Sequence, residues 1–369
     1  MSERYRVHVA GFAHEDRTLA AVDEIRPACA SAYLERLRPR ELPLRGLQLL
    51  AGNSLTSSYY HRRSLRNYVR TLNREVRFAA TVAFSSAMAP YAPEGVPLLL
   101  DMVDVDSEKW LDYARRRSPH WLFRLEAGRL QREERRWTTR AASVVLTTER
   151  ECSILLATTP HSRVRAVENG VDFSYCDPAR TPRLPELAGR PYLVMVGSMN
   201  YYPNADGAIW FAKEVFAPLR RQLPDLEFLI VGHRPPRAVR DLAALPGVSV
   251  VGYVPDVRPY LSGALAAVCP LRIARGIQNK VLEAVAMGKP VLASVEIGET
   301  FGGREPVGLR SCRTPADYHR NILEIASQPP GMDATIRDAA MQRFSWQRNL
   351  EVLDEELQFV IHSGVGALV

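Results

Sequence analysis

Short apolar runs separated by polar stretches of helical period recur along the whole chain. Tyr5 to Gly11 alternates as a strand, and Thr18 to Pro27 follows as a helix with carboxylates near its start. Phe78 to Phe84, Pro97 to Val103 and Ser143 to Thr147 read as buried strands, with helices predicted over about Pro119 to Arg140 and from Thr148. After a proline-bearing stretch the alternation restarts, with strands at Tyr192 to Val196, Leu226 to Val231, from Val248, Ala264 to Cys269 and Val291 to Ala293. Continuous apolar runs of strand length mark strands buried on both faces, and strand–helix alternation predicts a parallel, helix-covered α/β sheet.

The densest of these patterns runs from 264 to 294. Ala264 to Cys269 ends at Pro270, which cannot donate to a sheet ladder. A loop holding Arg272, Arg275 and Gly276 follows, and a helix is predicted from Gln278, with Val281, Leu282, Val285 and Ala286 on one face. Gly288 stops that helix and Pro290 prevents its continuation. In an open α/β sheet ligands bind outside the carboxyl ends of strands, where free amides at a helix start attract phosphate. Gly276 allows close backbone approach, Arg272 and Lys280 add positive charge, and Lys280 and Glu283 share a helix face. A cation for a diphosphate beside a carboxylate for sugar hydroxyls suits a nucleotide-sugar. The same spacing fits a solvated Lys–Glu pair on an ordinary surface helix.

Length changes this picture first: 369 residues suit two domains rather than one core. No apolar run approaches the ~18 residues of a membrane span, and the amino end lacks the long apolar segment of a signal peptide. Five widely spaced cysteines without a Cys-x-x-Cys point to reduced thiols in a cytoplasmic protein. The net charge of +7 is uneven, because residues 1–180 hold 28 Lys+Arg against 22 Asp+Glu. A basic half suits nucleic acid, an acidic substrate or anionic lipid. No common nucleic-acid signature accompanies it, so nucleic acid ranks last.

Residues 54–77 carry six arginines against the single acid Glu75, with Leu65, Tyr68, Val69, Leu72 and Val76 as one apolar face. The stretch 58–77 fits a helix lying on an anionic membrane surface. It also fits a surface helix packed on its own sheet, and that second reading is favoured. Asp101, Asp104, Asp106 and Glu108 crowd past the end of a strand, where like charges raise one another's pKa. Helix capping by Asp106 or Ser107 is the structural alternative. The charges of the helix from about Pro119 to Arg140 read as a solvated face.

Glu283-Ala-Val-Ala-Met-Gly-Lys-Pro-Val291 resembles the donor signature of retaining glycosyltransferases of family 4. That family's first signature glutamate falls at position 275, which here is Arg275. The variant Gly276-Ile-Gln-Asn-Lys-Val-Leu-Glu283 is similar to sugar transferases of exopolysaccharide systems of the PEP-CTERM/exosortase kind. Asn169-Gly-Val-Asp172 and the tail Phe344 to Leu357 also resemble family segments. The resemblance implies a GT-B fold: α/β, two Rossmann-like domains facing an interdomain cleft, with an N-terminal domain that opens on what looks like the family's second strand. The implied boundaries are 1–176, a linker at 177–191, 192–341, and 342–369 as a terminal helix returning to the first domain.

By that resemblance, Glu283 contacts the nucleotide ribose, and Gly197, Ser198 and Asn200 meet the donor phosphates. The backbone around Tyr253 reads the base edge. Gly276, Gln278, Asn279 and Lys280 complete the donor site, with Arg272 and Lys280 supplying the phosphate charge. Asp104 and Asp106 are the catalytic candidates, for positioning acceptor or donor sugar. The implied reaction is hexosyl transfer, with retention, from a nucleoside-diphosphate-sugar to a hydroxyl on a polysaccharide or lipid-linked glycan. No cofactor or metal is expected, and the expected place is the cytoplasm, peripheral on the inner face of the membrane. A GT-B nucleotide-sugar epimerase and a non-catalytic nucleotide-sugar-binding protein are the alternatives.

Overall fold

A computed structural model describes residues 4–13, 22–37, 52–182, 184–328 and 331–365. The first part of the helix expected over Thr18 to Pro27 lies outside them, as do the last four residues of the terminal segment. Two compact units form. The first comprises Met1–Leu146, Cys152–Ala166 and Val352–Val369, and the second Thr147–Glu151 and Val167–Glu351.

In the first unit, strands β1 (His8–Ala13) and β2 (Ser31–Arg36) pair in parallel. A second parallel sheet has the order β3 (Thr81–Phe84), β4 (Leu98–Val103), β5 (Ser143–Leu146) and β6 (Val164–Ala166). Leu98, Leu99 and Leu100 are fully buried, as expected of a parallel strand covered on both faces. The basic stretch splits into two helices, α1 (Leu55–Tyr60) and α2 (Arg63–Val76). Tyr68 of α2 stacks on Tyr33 of β2, ring centroids 4.4 Å apart, and its hydroxyl donates to Ser31 Oγ at 3.1 Å. The apolar face of α2 therefore packs on its own strands, which is the favoured of the two sequence readings.

Helices α3 (Asp106–Arg116) and α4 (His120–Arg140) correct the sequence reading in two places. Neither Asp106 nor Ser107 caps α3; the Ser107 amide and hydroxyl donate to Glu134 of α4 at 2.9 and 2.5 Å. Glu126 likewise receives the amides of Leu55 and Thr56 at the start of α1, at 2.7 and 3.1 Å. Both glutamates are nearly inaccessible, so the charges of α4 are not all a solvated face. A carboxylate aimed at free helix amides gains charge-assisted hydrogen bonds that repay part of its desolvation. Burial still pushes the Glu134 carboxyl up to about 7.

The second unit holds a six-stranded parallel sheet with strand order β12-β11-β10-β7-β8-β9. Its members are β7 (Tyr192–Val196), β8 (Glu227–Val231), β9 (Val248–Gly252), β10 (Ala266–Cys269), β11 (Val291–Ser294) and β12 (Leu309–Cys312). Helices α5 (Tyr202–Trp210), α6 (Asn279–Ala286) and α7 (Pro315–Ala326) lie between or after these strands. An aromatic cluster fixes the core, with Phe211 centred 4.9 Å from Phe228 and 5.5 Å from Tyr318. The sheet grows one way from β7 through β8 and β9, and the other way through β10, β11 and β12. β7 and β10 are adjacent at that reversal. A crevice must open outside their carboxyl ends, because the connections leave in opposite directions.

Candidate functional site

The two loops at this switch point carry most of the residues singled out in the sequence. After β7 comes Gly197-Ser-Met-Asn200 and then α5; after β10 comes Pro270 to Gln278 and then α6. Lys280, in the first turn of α6, sends its Nζ to Asn204 Oδ1 of α5 at 2.5 Å. Asn204 is buried, and its Nδ2 donates to Ser198 O at 2.8 Å. One asparagine thus ties the lysine of one loop to the backbone of the other.

Glycines make this closeness possible. A Cβ on Gly197 would lie 2.9 Å from both Asn204 Nδ2 and Lys280 Nζ. A Cβ on Gly232, at the end of β8, would lie 1.7 Å from Gly197 O, so no side chain fits between the loops. In the other loop, Gly276 takes φ 58°, the left-handed region that glycine enters without strain. Gln278 then precedes α6 with extended backbone and no side-chain cap, and its Nε2 donates to Arg275 O at 3.0 Å. The α6 start thus has no side-chain cap, an arrangement that favours an anion.

Desolvation dominates the electrostatics. It pushes the Lys280 ammonium below the ordinary lysine range, against the pull of Cys269 and Glu283. Glu283, one turn along, has its carboxyl raised by burial, with Lys280 opposing. Each charge costs free energy to hold out of water, and each offsets part of the other's cost. An anion seated beside Lys280 would restore what burial has removed from it.

The remaining residues differ in how they are engaged. Arg272 is committed to Asp206 of α5 through two hydrogen bonds, Nε at 2.9 Å and Nη2 at 2.5 Å. Its charge is already balanced, which leaves Lys280 as the cation tied into the switch point. Arg275 is nearly buried and sits 3.6 Å from buried Glu151. Asn279 is exposed and accepts from Asn169 Nδ2 at 2.9 Å, which brings the Asn-Gly turn beside the α6 start. Ser198 Oγ donates to Asn200 Oδ1 at 2.7 Å. Tyr253 follows β9 and is half-exposed, its ring 6.0 Å from that of His233. Asp104 and Asp106 lie in the first unit, just past β4 and in the first turn of α3. Their neighbour Asp101 has its carboxyl pushed to about 6 by burial. Sequence spacing missed Asp206 and Glu151, which meet their arginines only through the fold. Among the described residues no three His, Cys, Asp or Glu converge as a metal ion would require. No helix among them is long and apolar enough to cross a membrane.

Residues 190–327 match the family described as Glycosyl transferases group 1. No curated protein matches the chain in sequence. Among solved structures, sucrose-phosphate synthase from Thermosynechococcus elongatus superposes with a TM-score of 0.67 at 14% identity, over 97% of this chain and 100% of that one. Anabaena Alr3699/HepE, in complex with UDP and glucose, gives a TM-score of 0.62 at 12% identity, over 96% and 100%. A UDP-forming α,α-trehalose-phosphate synthase from Burkholderia xenovorans gives 0.62 at 10% identity, over 97% and 99%. The chain shares with them the GT-B fold of two Rossmann-like domains.

Proposed function

We propose that this protein is a retaining glycosyltransferase that moves a hexosyl group from a nucleoside-diphosphate-sugar to a hydroxyl acceptor. The observation that carries the reading is the Lys280–Asn204–Ser198 chain of contacts at the β7/β10 switch point, with Glu283 one turn away. The group 1 match over 190–327 covers that site, and HepE binds UDP and glucose on the same fold. A uridine diphosphate sugar is therefore the favoured donor. Its diphosphate lies against Lys280, the α6 amides and the Gly276 loop, and Glu283 takes the ribose hydroxyls.

Breaking the glycosidic bond develops positive charge on the sugar and negative charge on the departing diphosphate. The second unit meets that negative charge with groups already in place, so little reorganisation is needed as it forms. Asp104 and Asp106 of the first unit are assigned to positioning the acceptor or donor sugar, and no protein nucleophile is named. Similarity of Gly276–Glu283 to exopolysaccharide transferases supports a polysaccharide or lipid-linked acceptor at the cytoplasmic face of the membrane, in a system of the PEP-CTERM/exosortase kind. No metal is required by this scheme.

Thermal-shift titration with UDP-, GDP-, ADP- and TDP-sugars tests the donor site in wild type, Lys280→Ala and Glu283→Ala. A ligand at 100 times its Kd stabilises the native state by about 2.7 kcal/mol. The expected result is a shift of several degrees with one nucleotide class, lost in both variants. No shift with any donor overturns the assignment. Arg275, where the family resemblance places a glutamate, favours a second reading of binding without turnover. Absence of both sugar transfer and donor hydrolysis, with binding intact, would select it.

A further inference from the structure

The first unit contains a cavity of about 640 Å³ between α1, α2, α4 and the segment that follows β3. Three arginines of α2 line it, Arg66, Arg70 and Arg74, and two of α4, Arg136 and Arg140. The first three are spaced four residues apart, as are the last two, so each helix turns one stripe of arginines toward the same space. Arg70, Arg74, Arg136 and Arg140 are exposed and Arg66 is partly buried, so solvent screens part of their mutual repulsion and carboxylates or a bound anion would relieve the rest.

Carboxylates offset only part of that charge, two against five. Among the described residues, no ion pair joins any of the five to an Asp or Glu. Two acids line the cavity. Glu133 accepts from the Ser54 amide and hydroxyl, each at 2.9 Å, and from the Ser57 hydroxyl, neutral donors that leave its negative charge in place. Glu94 is exposed.

Arg66, Arg136 and Arg140 meet neutral groups that leave their charge available, while Arg70 and Arg74 are exposed. Arg140 Nη2 donates to the carbonyls of Ala92 and Pro93, at 3.2 and 2.7 Å. The guanidinium groups of Arg136 and Arg140 lie over the Trp137 ring, 5.2 and 5.3 Å from its centroid. Arg66 Nε is buried without a hydrogen-bond partner. A buried N–H without a partner costs free energy that an acceptor would recover. Arg136 and Arg140 placed by carbonyls and ring stacking, with Arg66 Nε buried and unpaired, describe a partly preorganised anion site.

We infer that this cavity binds a diphosphate-bearing ligand. The space is within the roughly 300–1,000 Å³ of small-molecule sites and exceeds what a lone phosphate fills. Several guanidinium forks match the two or three charges and the clustered acceptor oxygens of a diphosphate better than a singly charged anion. The inference stands apart from the donor-site reading, because these residues all belong to the other unit. A soluble diphosphate ester and a diphosphate lipid headgroup present the same chemistry.

Inorganic pyrophosphate is the first probe, with amide hydrogen exchange on the full chain at low salt. Protection is expected in peptides covering 62–76 and 132–140. By titration calorimetry the combined variant Arg70→Gln, Arg74→Gln and Arg136→Gln should bind pyrophosphate at least about tenfold more weakly. Protection confined to second-unit peptides, or an unchanged affinity in the triple variant, overturns the inference. Should the triple variant fail to fold, the wild-type exchange pattern alone decides. Flotation with phosphatidylcholine vesicles containing a prenyl diphosphate, against phosphatidylcholine alone, separates the sources. Arginine-dependent flotation assigns a lipid headgroup, and protection by pyrophosphate without flotation assigns a soluble ester. Neither protection nor flotation refutes both.

Discussion

The two units hold positive charge in opposite ways. In the second, Lys280 is one partly buried ammonium tied to Asn204, and Arg272 and Arg275 each face a carboxylate. In the first, five arginines share a cavity without an ion-paired acid, and two of them, Arg136 and Arg140, are oriented by carbonyls or a tryptophan ring. The lysine arrangement suits recognition by geometry, because the two loops are in close contact beside it. The arginine arrangement recognises by charge, and its strength depends on ionic strength.

The second unit's loop contact is most sensitive at Gly232. An alanine there places its Cβ against Gly197 O, a backbone clash that no side-chain rotation relieves. Gly232→Ala should cost about 3–4 kcal/mol, read as a lower urea midpoint for second-unit peptides in hydrogen exchange. Donor binding should vanish with it, whereas pyrophosphate protection of 62–76 should survive. Loss of stability below 1 kcal/mol would mean that the loops are not in fixed contact.

Lys280→Met separates affinity from stability. Removing a charged hydrogen-bond donor should weaken donor binding about 10- to 100-fold. Stability near neutral pH should change by no more than about 1 kcal/mol, because the variant also removes the cost of burying an ammonium. The pH dependence carries the sign. With the folded pKa lowered below 10.5, the unfolded chain binds more protons over the interval between the two values, so wild-type stability rises with pH there. Lys280→Met should abolish that rise. A variant that destabilises the fold strongly and leaves affinity intact would make Lys280 a structural residue.

Arg272→Gln should give the reverse balance. It leaves Asp206, which is 14% exposed, without its partner, at a cost of about 1–3 kcal/mol. Its effect on donor affinity should be smaller than that of Lys280→Met, and restoring neutrality with Asp206→Asn should recover part of the stability. A tenfold or larger affinity loss in Arg272→Gln that Asp206→Asn does not recover would return Arg272 to the phosphate.

The uneven legibility of these sites has a physical source. Strands such as Ala266–Cys269 and Val291–Ser294 announce themselves, because a parallel strand covered on both faces must be apolar throughout. Gly276, Gly288 and Pro290 punctuate the chain locally, and the order of elements follows from them. Pairings do not announce themselves. Asn204 and Lys280 are 76 residues apart, Asp206 and Arg272 are 66 apart, and nothing in either local pattern names the partner. For the same reason Glu126 and Glu134 read as surface charge until the helix starts they cap are in place, whereas most arginines of α4 are exposed, as their pattern predicts.

The smallest expected effect tests how a helix start can be capped from a distance. Glu134 receives both the Ser107 amide and hydroxyl, and burial raises its carboxyl to about 7 from an ordinary 4.5. A carboxyl raised on folding contributes stability that is fully present below about pH 4.5 and is lost as pH climbs through about 7. Asp101, raised to about 6 in the same unit, acts in the same direction. Between pH 5 and pH 8 the first unit should therefore lose about 1–3 kcal/mol, followed by hydrogen exchange of the β4 and α3 peptides at several urea concentrations. Glu134→Gln keeps an oxygen for the Ser107 amide and cannot ionise, so it should remove most of that loss above pH 6 while changing stability little at pH 5. An undiminished pH dependence in this variant would show that Glu134 stays ionised, and that the amides at the α3 start offset the full cost of burying its charge.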